Sequence, residues 1–219
     1  MLLRSLLFLF VGLMSCSKSK ITQESEEDNY VFFLHNKYLE THNDGDYDTV
    51  YKTNIEYAKI IDSFRKDSFV VISEKRAPNT NGIEYAKKIV NQIDSLLQKG
   101  VKPNHITVIG TSKGGYIAQY VSTFKKNSNL NYVFIGSFQE SDLKDMPDIN
   151  FSGNILTIYE KSDKYGVSAI KRKENSLLKI NHFKEIELNT GLKHGFLYKA
   201  MDEWIVPSKK WARRNYELN

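Results

Sequence analysis

Residues 105–115 read HITVIGTSKGG, an apolar run that leads into a glycine-rich turn. The apolar part, residues 105–110, predicts a buried strand. The residues after the turn predict a helix with four apolar side chains on one face: Ile117, Tyr120, Val121 and Phe124. The turn itself contains the pattern G-x-S-x-G, with Gly110, Ser112 and Gly114 at its fixed positions. A glycine-rich turn between a strand and a helix is the context in which this pattern indicates a reactive serine.

The glycines of this turn have a steric reason. A serine held on a sharp strand-to-helix turn takes a strained backbone conformation, and side chains two residues before and after it would clash. Gly110 and Gly114 remove that clash. The alternatives are a turn that only permits tight packing or one that binds phosphate, but neither G-x-G-x-x-G nor G-x-x-x-x-G-K-[ST] is present here. Ser112 is therefore a candidate nucleophile, and the N–H of Lys113 at the helix start is a candidate oxyanion donor.

Strand and helix patterns alternate along the rest of the chain. Further strands are predicted at residues 30–34, 68–73, 131–135, 155–159 and 183–188. One further helix is predicted to begin at an N-cap at Asp48 and to carry one face formed by Val50, Asn54, Tyr57, Ile61 and Phe64. Others are predicted over residues 83–97 and 167–179, and at the C-terminus. Near-continuous apolar strands separated by helices indicate an α/β fold: one mostly parallel sheet of about six strands with helices on both faces. Because ligand sites in such sheets lie beyond the carboxyl ends of the strands, a catalytic residue is expected just after a strand.

The turn around Ser112, taken with this order of elements, resembles the nucleophile elbow of the α/β-hydrolase family. The resemblance covers the chain from about Asn29 to the C-terminus. Matching the strand before Ser112 to the family's fifth makes residues 30–34 its third, so the first two strands of larger members are expected to be absent. The resemblance implies a minimal serine hydrolase that uses no metal and no cofactor, with its Ser, Asp and His in that chain order.

A serine hydroxyl needs a base within hydrogen-bond reach, most often a histidine oriented by a carboxylate. His194 follows the last predicted strand in the segment LKHGF, which resembles the family's catalytic His-Gly loop. His182 precedes that strand and His105 opens the strand before Ser112, so both are expected at the opposite end of the sheet. His42 lies in a polar loop, where a solvated role is the default. His194 is therefore the predicted base.

Two aspartates compete for the role of the acid behind this base. Asp163 closes the segment YEKSD directly after the strand at residues 155–159, which matches the family's acid loop. Its alternative role is to form a turn or to cap the next helix. Asp142 follows the strand at residues 131–135, from which some members draw their acid, whereas Glu160 is too near its strand to be preferred. We predict Asp163 as the acid, with Asp142 as its rival.

The family's second oxyanion donor comes from the loop after the first strand of this core, often written His-Gly-x. Here the residues are His35, Asn36 and Lys37, so that asparagine replaces the glycine. Because asparagine tolerates left-handed backbone angles, the loop geometry is expected to survive. The predicted donor is the Lys37 amide, with that of Asn36 next.

Two other features concern the substrate. Lys75 and Arg76 follow the strand at residues 68–73, where a cation could meet an anionic substrate group or simply lie in a solvated loop. The connection between the strands at residues 131–135 and 155–159 is too short for a large lid. An open site for a small or flexible ester follows.

Composition limits the other possibilities. The 219 residues suit one domain, and a net charge of +5 without a long basic run makes nucleic acid an unexpected partner. Cys16 is the only cysteine, which excludes an intramolecular disulfide, a cysteine-based zinc site and a catalytic thiol elsewhere in the chain. We expect a monomer that binds a small-molecule ester.

The N-terminal residues carry an export pattern. Arg4 precedes an apolar run at residues 6–14, and the segment LMSC that ends at Cys16 resembles the lipobox of bacterial lipoproteins, whose cysteine is lipidated. The run is shorter than the roughly 18 residues of a spanning helix, and the alternative is an ordinary secretion signal with an incidental cysteine. We expect a signal peptide at residues 1–15, a polar tether at 16–28 and the hydrolase domain at 29–219, anchored by lipid in the cell envelope, on its periplasmic or outer-membrane face.

Together these features predict a serine hydrolase that cleaves a small ester through an acyl-enzyme. Acyl transfer, thioester cleavage and peptide cleavage would use the same three residues. An alternative of a different class is a lipid-anchored binding protein on a hydrolase scaffold without activity, since a fold does not fix a function. The order of Ser112, Asp163 and His194 counts against this alternative, and the replacement at Asn36 counts for it.

Overall fold

The computed structural model describes residues 28–219. The predicted signal peptide, Cys16 and all of the predicted tether except Asp28 lie outside the described residues. In chain order, the strands are β1 (Asn29–Leu34), β2 (Tyr47–Asp48), β3 (Thr53–Asn54), β4 (Phe69–Ile72), β5 (Ile106–Thr111), β6 (Asn131–Ile135), β7 (Gly153–Glu160) and β8 (Ile180–Leu188). The helices are α1 (Tyr57–Lys66), α2 (Gly82–Gln98), α3 (Lys113–Lys125), α4 (Asp142–Asp145), α5 (Ile170–Glu174) and α6 (Asp202–Ala212). Short 3₁₀ helices cover Tyr38–Glu40, Pro103–His105 and Lys193–Tyr198.

Six of these strands form one sheet in the order β4-β1-β5-β6-β7-β8, and every neighbouring pair is parallel. The chain leaves β1 toward β4 on one side and then crosses to β5 on the other side. In an open parallel sheet the ligand crevice lies at the point where the strand order reverses. The crevice is therefore expected beyond Leu34 and Thr111, the last residues of β1 and β5.

The side chains of β1 alternate between two cores, one on each face of the sheet. Val31 and Phe33 pack into the core that α1 and α6 cover, whereas Phe32 and Leu34 pack into the core that α2 and α3 cover. Each of these fully buried apolar side chains contributes about 1.5–3 kcal/mol to folding. The predicted mostly parallel sheet with helices on both faces is thus confirmed.

The helix predicted from Asp48 begins only at Tyr57, so the first half of that prediction is wrong. A carboxylate oxygen of Asp48 accepts the N–H of Tyr51 and so stabilises a turn. Lys52, at φ 53°, then reverses the chain, and β2 pairs with β3 in an antiparallel hairpin. Val50, which the pattern assigned to a buried helix face, is 76% exposed. A short-range turn therefore overrode the helical spacing.

The helix predicted at residues 167–179 is also much shorter than expected, since only Ile170–Glu174 is helical. Ser176 ends it: its hydroxyl donates to the carbonyl of Arg172 and accepts the N–H of Phe151, which ties the chain to the next loop. The last strand consequently begins at Ile180, and His182 lies inside it rather than before it.

Candidate active site

Ser112 lies between the end of β5 and the start of α3, at φ 50° and ψ −119°. This is a strained conformation for a residue other than glycine, and the packing around the turn enforces it. A β-carbon at Gly114 would overlap the carbonyl oxygen of Leu34, and one at Gly110 would overlap the backbone carbonyl of Gly114. The N–H of Ser112 donates to the carbonyl of Ile135 on the neighbouring strand, at 2.9 Å. The turn therefore holds the serine hydroxyl above the carboxyl end of the sheet.

Ser112, His194 and Asp163 are joined by hydrogen bonds. The Nε2 atom of His194 lies 2.9 Å from the Oγ atom of Ser112, and its Nδ1 atom lies 2.6 Å from the Oδ2 atom of Asp163. His194 belongs to the 3₁₀ turn Lys193–Tyr198 after β8, and Asp163 to the loop after β7. Topology thus brings together three residues that are far apart in the chain, each of them just after a strand.

The hydrogen-bond partners of His194 indicate which of its ring nitrogens carries the proton. With its Nδ1–H donated to the buried carboxylate of Asp163, His194 presents the lone pair of Nε2 to the hydroxyl of Ser112. The other carboxylate oxygen of Asp163 accepts the N–H of Tyr165 at 2.9 Å. Asp163 is therefore fixed from two sides and holds the imidazole in the tautomer whose Nε2 lone pair faces Ser112.

Glu160, which the sequence argument set aside, connects the loops that carry the acid and the histidine. Its side chain is fully buried, and its two oxygens accept hydrogen bonds from the N–H and hydroxyl of both Ser162 and Thr190, and from the N–H of Gly191. Burial alone would raise the pKa of Glu160, but these hydrogen bonds outweigh it and lower the pKa. A charged Glu160 thus ties the two loops together. The only sequence signal for it was its place at the end of a strand.

The rival residues lie elsewhere. Asp142 is the first residue of α4, where its carboxylate accepts the hydroxyl of Tyr116 at 2.8 Å and the N–H of Gln139 at 2.7 Å. His182 stacks on Tyr216, with 4.2 Å between the ring centroids. Two further histidines lie outside the group as well: His105 ends the turn before β5, and His42 stacks on Tyr38.

The loop after β1 lies beside the serine, as the sequence indicated. Asn36 and Lys37 line the same cavity as Ser112 and His194, with a volume of about 310 Å³. Asn36 does not have a positive φ, so this loop does not need the conformational freedom of glycine. Its side-chain oxygen instead accepts the N–H of Leu39 at 3.3 Å and helps to form the following 3₁₀ turn.

Tyrosines and threonine form much of the remaining wall of this cavity: Tyr38, Thr41 and Tyr198. Burial, followed by the nearby charge of Asp48, raises the pKa of Tyr198, so that its phenol stays neutral.

Among residues 28–219, no group of three or more histidine, aspartate or glutamate side chains is arranged to hold a metal ion.

A second cavity, of about 260 Å³, lies on the other side of His194. Its walls combine aromatic and basic side chains: Tyr51, Tyr165, Lys164 and Lys193. The connection from β6 to β7 holds only the four-residue helix α4, which leaves both cavities open.

Of the two alternatives for Lys75 and Arg76, a substrate contact or a solvated loop, exposed Lys75 agrees with the loop, whereas buried Arg76 agrees with neither. The ammonium of Lys75 donates to the side-chain oxygen of Asn43 at 2.8 Å. Arg76 is buried and forms an ion pair with Glu40, with 3.1 Å between Nε and Oε1. Arg76 is therefore committed to contacts within the protein.

Comparison by sequence gives no relatives: no protein-family model and no curated protein matches the chain. Comparison by structure finds proteins of similar fold. The fold is similar to that of SOBER1 from Arabidopsis thaliana, with 13% identity and a TM-score of 0.53, covering 85% of this chain and 98% of that one. It is also similar to the sugar hydrolase YeeB from Lactococcus lactis, with 13% identity and a TM-score of 0.53, covering 88% of this chain and 92% of that one.

An esterase/lipase from an uncultured bacterium is similar to the same extent, with 12% identity and a TM-score of 0.55, covering 88% of this chain and 78% of that one. At these identities the likeness concerns the fold alone. The strand order, the turn at Ser112 and these neighbours agree with the resemblance that the sequence indicated. The chain has the α/β-hydrolase fold.

Proposed function

We propose that the chain is a serine hydrolase that cleaves a small ester through an acyl-enzyme, with Ser112 as nucleophile, His194 as base and Asp163 as acid. The observation that carries the proposal is the continuous path of hydrogen bonds from Asp163 through His194 to Ser112, at 2.6 and 2.9 Å. Such a path places the base within reach of the nucleophile. It opens into a cavity at the carboxyl ends of the strands, where substrates bind in this class of sheet.

In the first half of the reaction, the Oγ atom of Ser112 attacks the ester carbonyl while its proton moves to Nε2 of His194. The carboxylate of Asp163 stabilises the resulting imidazolium through the hydrogen bond at Nδ1. The tetrahedral intermediate then collapses, and His194 returns the proton to the leaving alcohol. An acyl group remains on Ser112.

The negative oxygen of the tetrahedral intermediate needs donors that are already in place. The N–H of Lys113 is one of the first N–H groups of α3, which have no partner inside the helix. We assign the second donor to the N–H of Lys37, since this residue lines the cavity that holds Ser112. Asn36 lines the same wall and is the next candidate.

In the second half, a water molecule gives a proton to His194 and attacks the acyl carbonyl. A second tetrahedral intermediate forms at the same donors and releases the acid and free Ser112. The open cavities on both sides of His194 admit water and two moderately sized substrate halves. A small ester fits this space, and the esterase/lipase among the structural neighbours supports the choice of bond.

The test is covalent labelling with a fluorophosphonate, which reacts with an activated serine. The wild-type domain should be labelled at Ser112, Ser112→Ala should not be labelled, and His194→Ala should react at least about a hundredfold more slowly. The matched control is His182→Ala, which removes a histidine at the far end of the sheet and should label at the wild-type rate. A folded wild-type domain that neither labels nor cleaves any activated ester would contradict the proposal and favour a binding protein.

We also propose that the chain is exported and held in the cell envelope by lipid on Cys16, with residues 16–28 as the tether. The support is the lipobox-like segment that ends at Cys16. Among the helices of residues 28–219, none has the length and apolar character that a bilayer crossing requires. Mass analysis of the protein from membranes should find Cys16 as the first residue, carrying acyl groups. A mature chain that starts elsewhere, with an unmodified cysteine, would overturn this proposal.

A further inference from the structure

Beside the catalytic group lies a buried cluster of charged side chains that the reaction as described does not use. Arg76 and Glu40 are 2% and 3% exposed, and the ammonium of Lys113 forms a second ion pair with Glu40. These residues come from three places in the chain: the loop after β4, the turn Tyr38–Glu40 and the start of α3.

Arg76 holds the backbone of the loop after β1. Its Nη2 atom donates to the carbonyl of His35 and, at 3.2 Å, to the carbonyl of Asn36. Its own N–H donates to Nε2 of His35 at 2.8 Å, and Nδ1 of His35 in turn donates to the carbonyl of Asn36 at 2.6 Å. Two consecutive carbonyls of the loop are thus held on one side, toward Arg76.

Glu40 links this arrangement to the nucleophile turn. One oxygen of its carboxylate accepts from Nε of Arg76 at 3.1 Å, and both oxygens lie within 2.9 Å of the ammonium of Lys113. Lys113 directly follows Ser112. The cluster therefore connects the two backbone segments that supply the proposed oxyanion donors.

Such a cluster is a weak source of stability. Burying charged groups costs free energy, and well-packed apolar residues in their place are often as stable or more stable. The Nη1 atom of Arg76 is buried and has no hydrogen-bond partner among the described residues, which adds to this cost. A buried charged group kept at this cost, next to the reacting atoms, points to a role in the reaction.

We propose that Arg76 is a positioning residue that fixes the second oxyanion donor. In a planar trans peptide, the carbonyl of one residue and the N–H of the next point in opposite directions. Because Arg76 and His35 hold the carbonyl of Asn36, the N–H of Lys37 points away from Arg76. Lys37 lines the cavity of Ser112, whereas Arg76 does not, so this direction is toward the substrate. The inference rests on the proposed function and adds to it the group that sets the oxyanion geometry.

The test compares Arg76→Met with a matched control, Arg172→Met. Arg172 is also 2% exposed, donates to two backbone carbonyls, those of Ile149 and Asp142, and leaves one guanidinium nitrogen without a partner among the described residues. Both variants lose a buried arginine, but only one loses it beside Lys37. Each is measured for kcat and KM on a short p-nitrophenyl ester, for affinity toward a trifluoromethyl ketone, which forms a tetrahedral adduct with serine, and for thermal unfolding.

Arg76→Met should lower kcat by roughly a hundredfold or more while KM changes only a few-fold, as for the loss of one oxyanion donor. Its affinity for the trifluoromethyl ketone should fall by the same factor as kcat/KM, a correlation that a merely structural role would not produce. Arg172→Met should keep the wild-type kcat at a comparable loss of stability.

If Arg76→Met does not fold, Arg76→Lys serves instead, because lysine keeps the charge near Glu40 but cannot hold two carbonyls and a carboxylate in one plane. It should lose at least about tenfold in kcat. A folded variant at Arg76 that keeps kcat and ketone affinity within threefold of the wild type would overturn the inference. Inactivity of the wild type itself would instead overturn the proposed function.

Discussion

Because of His35, the free energy of unfolding should fall between pH 7 and pH 5. Burial, followed by the charge of Arg76, lowers the pKa of His35 from 6.5 to about 4. The contacts agree with this direction, since Nε2 accepts the N–H of Arg76 and a proton there would face another N–H. His35 therefore stays neutral in the folded state, whereas it takes up a proton in the unfolded state as the pH falls below 6.5.

The size of the effect follows from these two values. The contribution of His35 to stability is present above pH 6.5 and is lost as the pH falls from 6.5 toward 4. For a pKa of 6.5 in the unfolded state and about 4 in the folded state, the free energy of unfolding should drop by about 2 kcal/mol between pH 7 and pH 5.

The assay is urea unfolding of the wild type and of His35→Gln at pH 7, 6 and 5. Glutamine can still accept the N–H of Arg76 through its side-chain oxygen but does not titrate. All other ionisable groups are shared, so their contributions cancel in the difference. The wild type should lose about 2 kcal/mol more than the variant between pH 7 and 5. Parallel losses in the two proteins would refute the neutral, hydrogen-bonded His35.

Two further predictions follow from the geometry of the site and of the turn. Asp163→Asn should lower kcat by roughly a thousandfold or more, because His194 loses the carboxylate that fixes its tautomer, whereas Asp142→Asn should change kcat only a few-fold. Steady-state kinetics on folded variants measures both, and the reverse ranking would move the acid to the loop after β6. Gly114→Ala should destabilise the domain by about 3 kcal/mol, because the new β-carbon overlaps the backbone of Leu34. Gly82→Ala, where the β-carbon meets only ordinary contact at 3.4 Å, is its control, and equal thermal unfolding of the two would contradict the steric argument.

The parts of the fold that the sequence could predict depend on rules that act over short distances. A buried parallel strand is apolar along its whole length, so β5 and β6 could be placed from their own residues. Ser112 then follows from the G-x-S-x-G turn, and Asp163 and His194 from the resemblance to the family's acid and His-Gly loops; all three agree with the rule that functional residues come just after strands. No detail of side-chain packing is needed for that step.

The errors arose where a local hydrogen bond or a distant contact decided the structure. The turn at Asp48 replaced half of the predicted helix, although the apolar spacing there is helical. Glu160 was set aside as the acid because it lies too near its strand, and its role in joining two loops was missed because it depends on donors from Thr190 and Gly191, thirty or more residues further along the chain. Arg76 was expected to meet a substrate or to lie in a solvated loop, whereas it is buried against Glu40, which stands 36 residues earlier. Pairings over such distances leave no periodic signal.

The replacement of glycine by Asn36 has a physical explanation once these distant contacts are known. A glycine lets a loop approach a substrate because its backbone can adopt angles that other residues avoid. In this chain Asn36 has an ordinary φ, and the loop is held by hydrogen bonds from His35 and Arg76 to its carbonyls. A loop fixed in this way depends on side chains that can be protonated or replaced. For that reason His35 should govern the pH dependence of stability, and Arg76, held by Glu40, the rate of the chemical step.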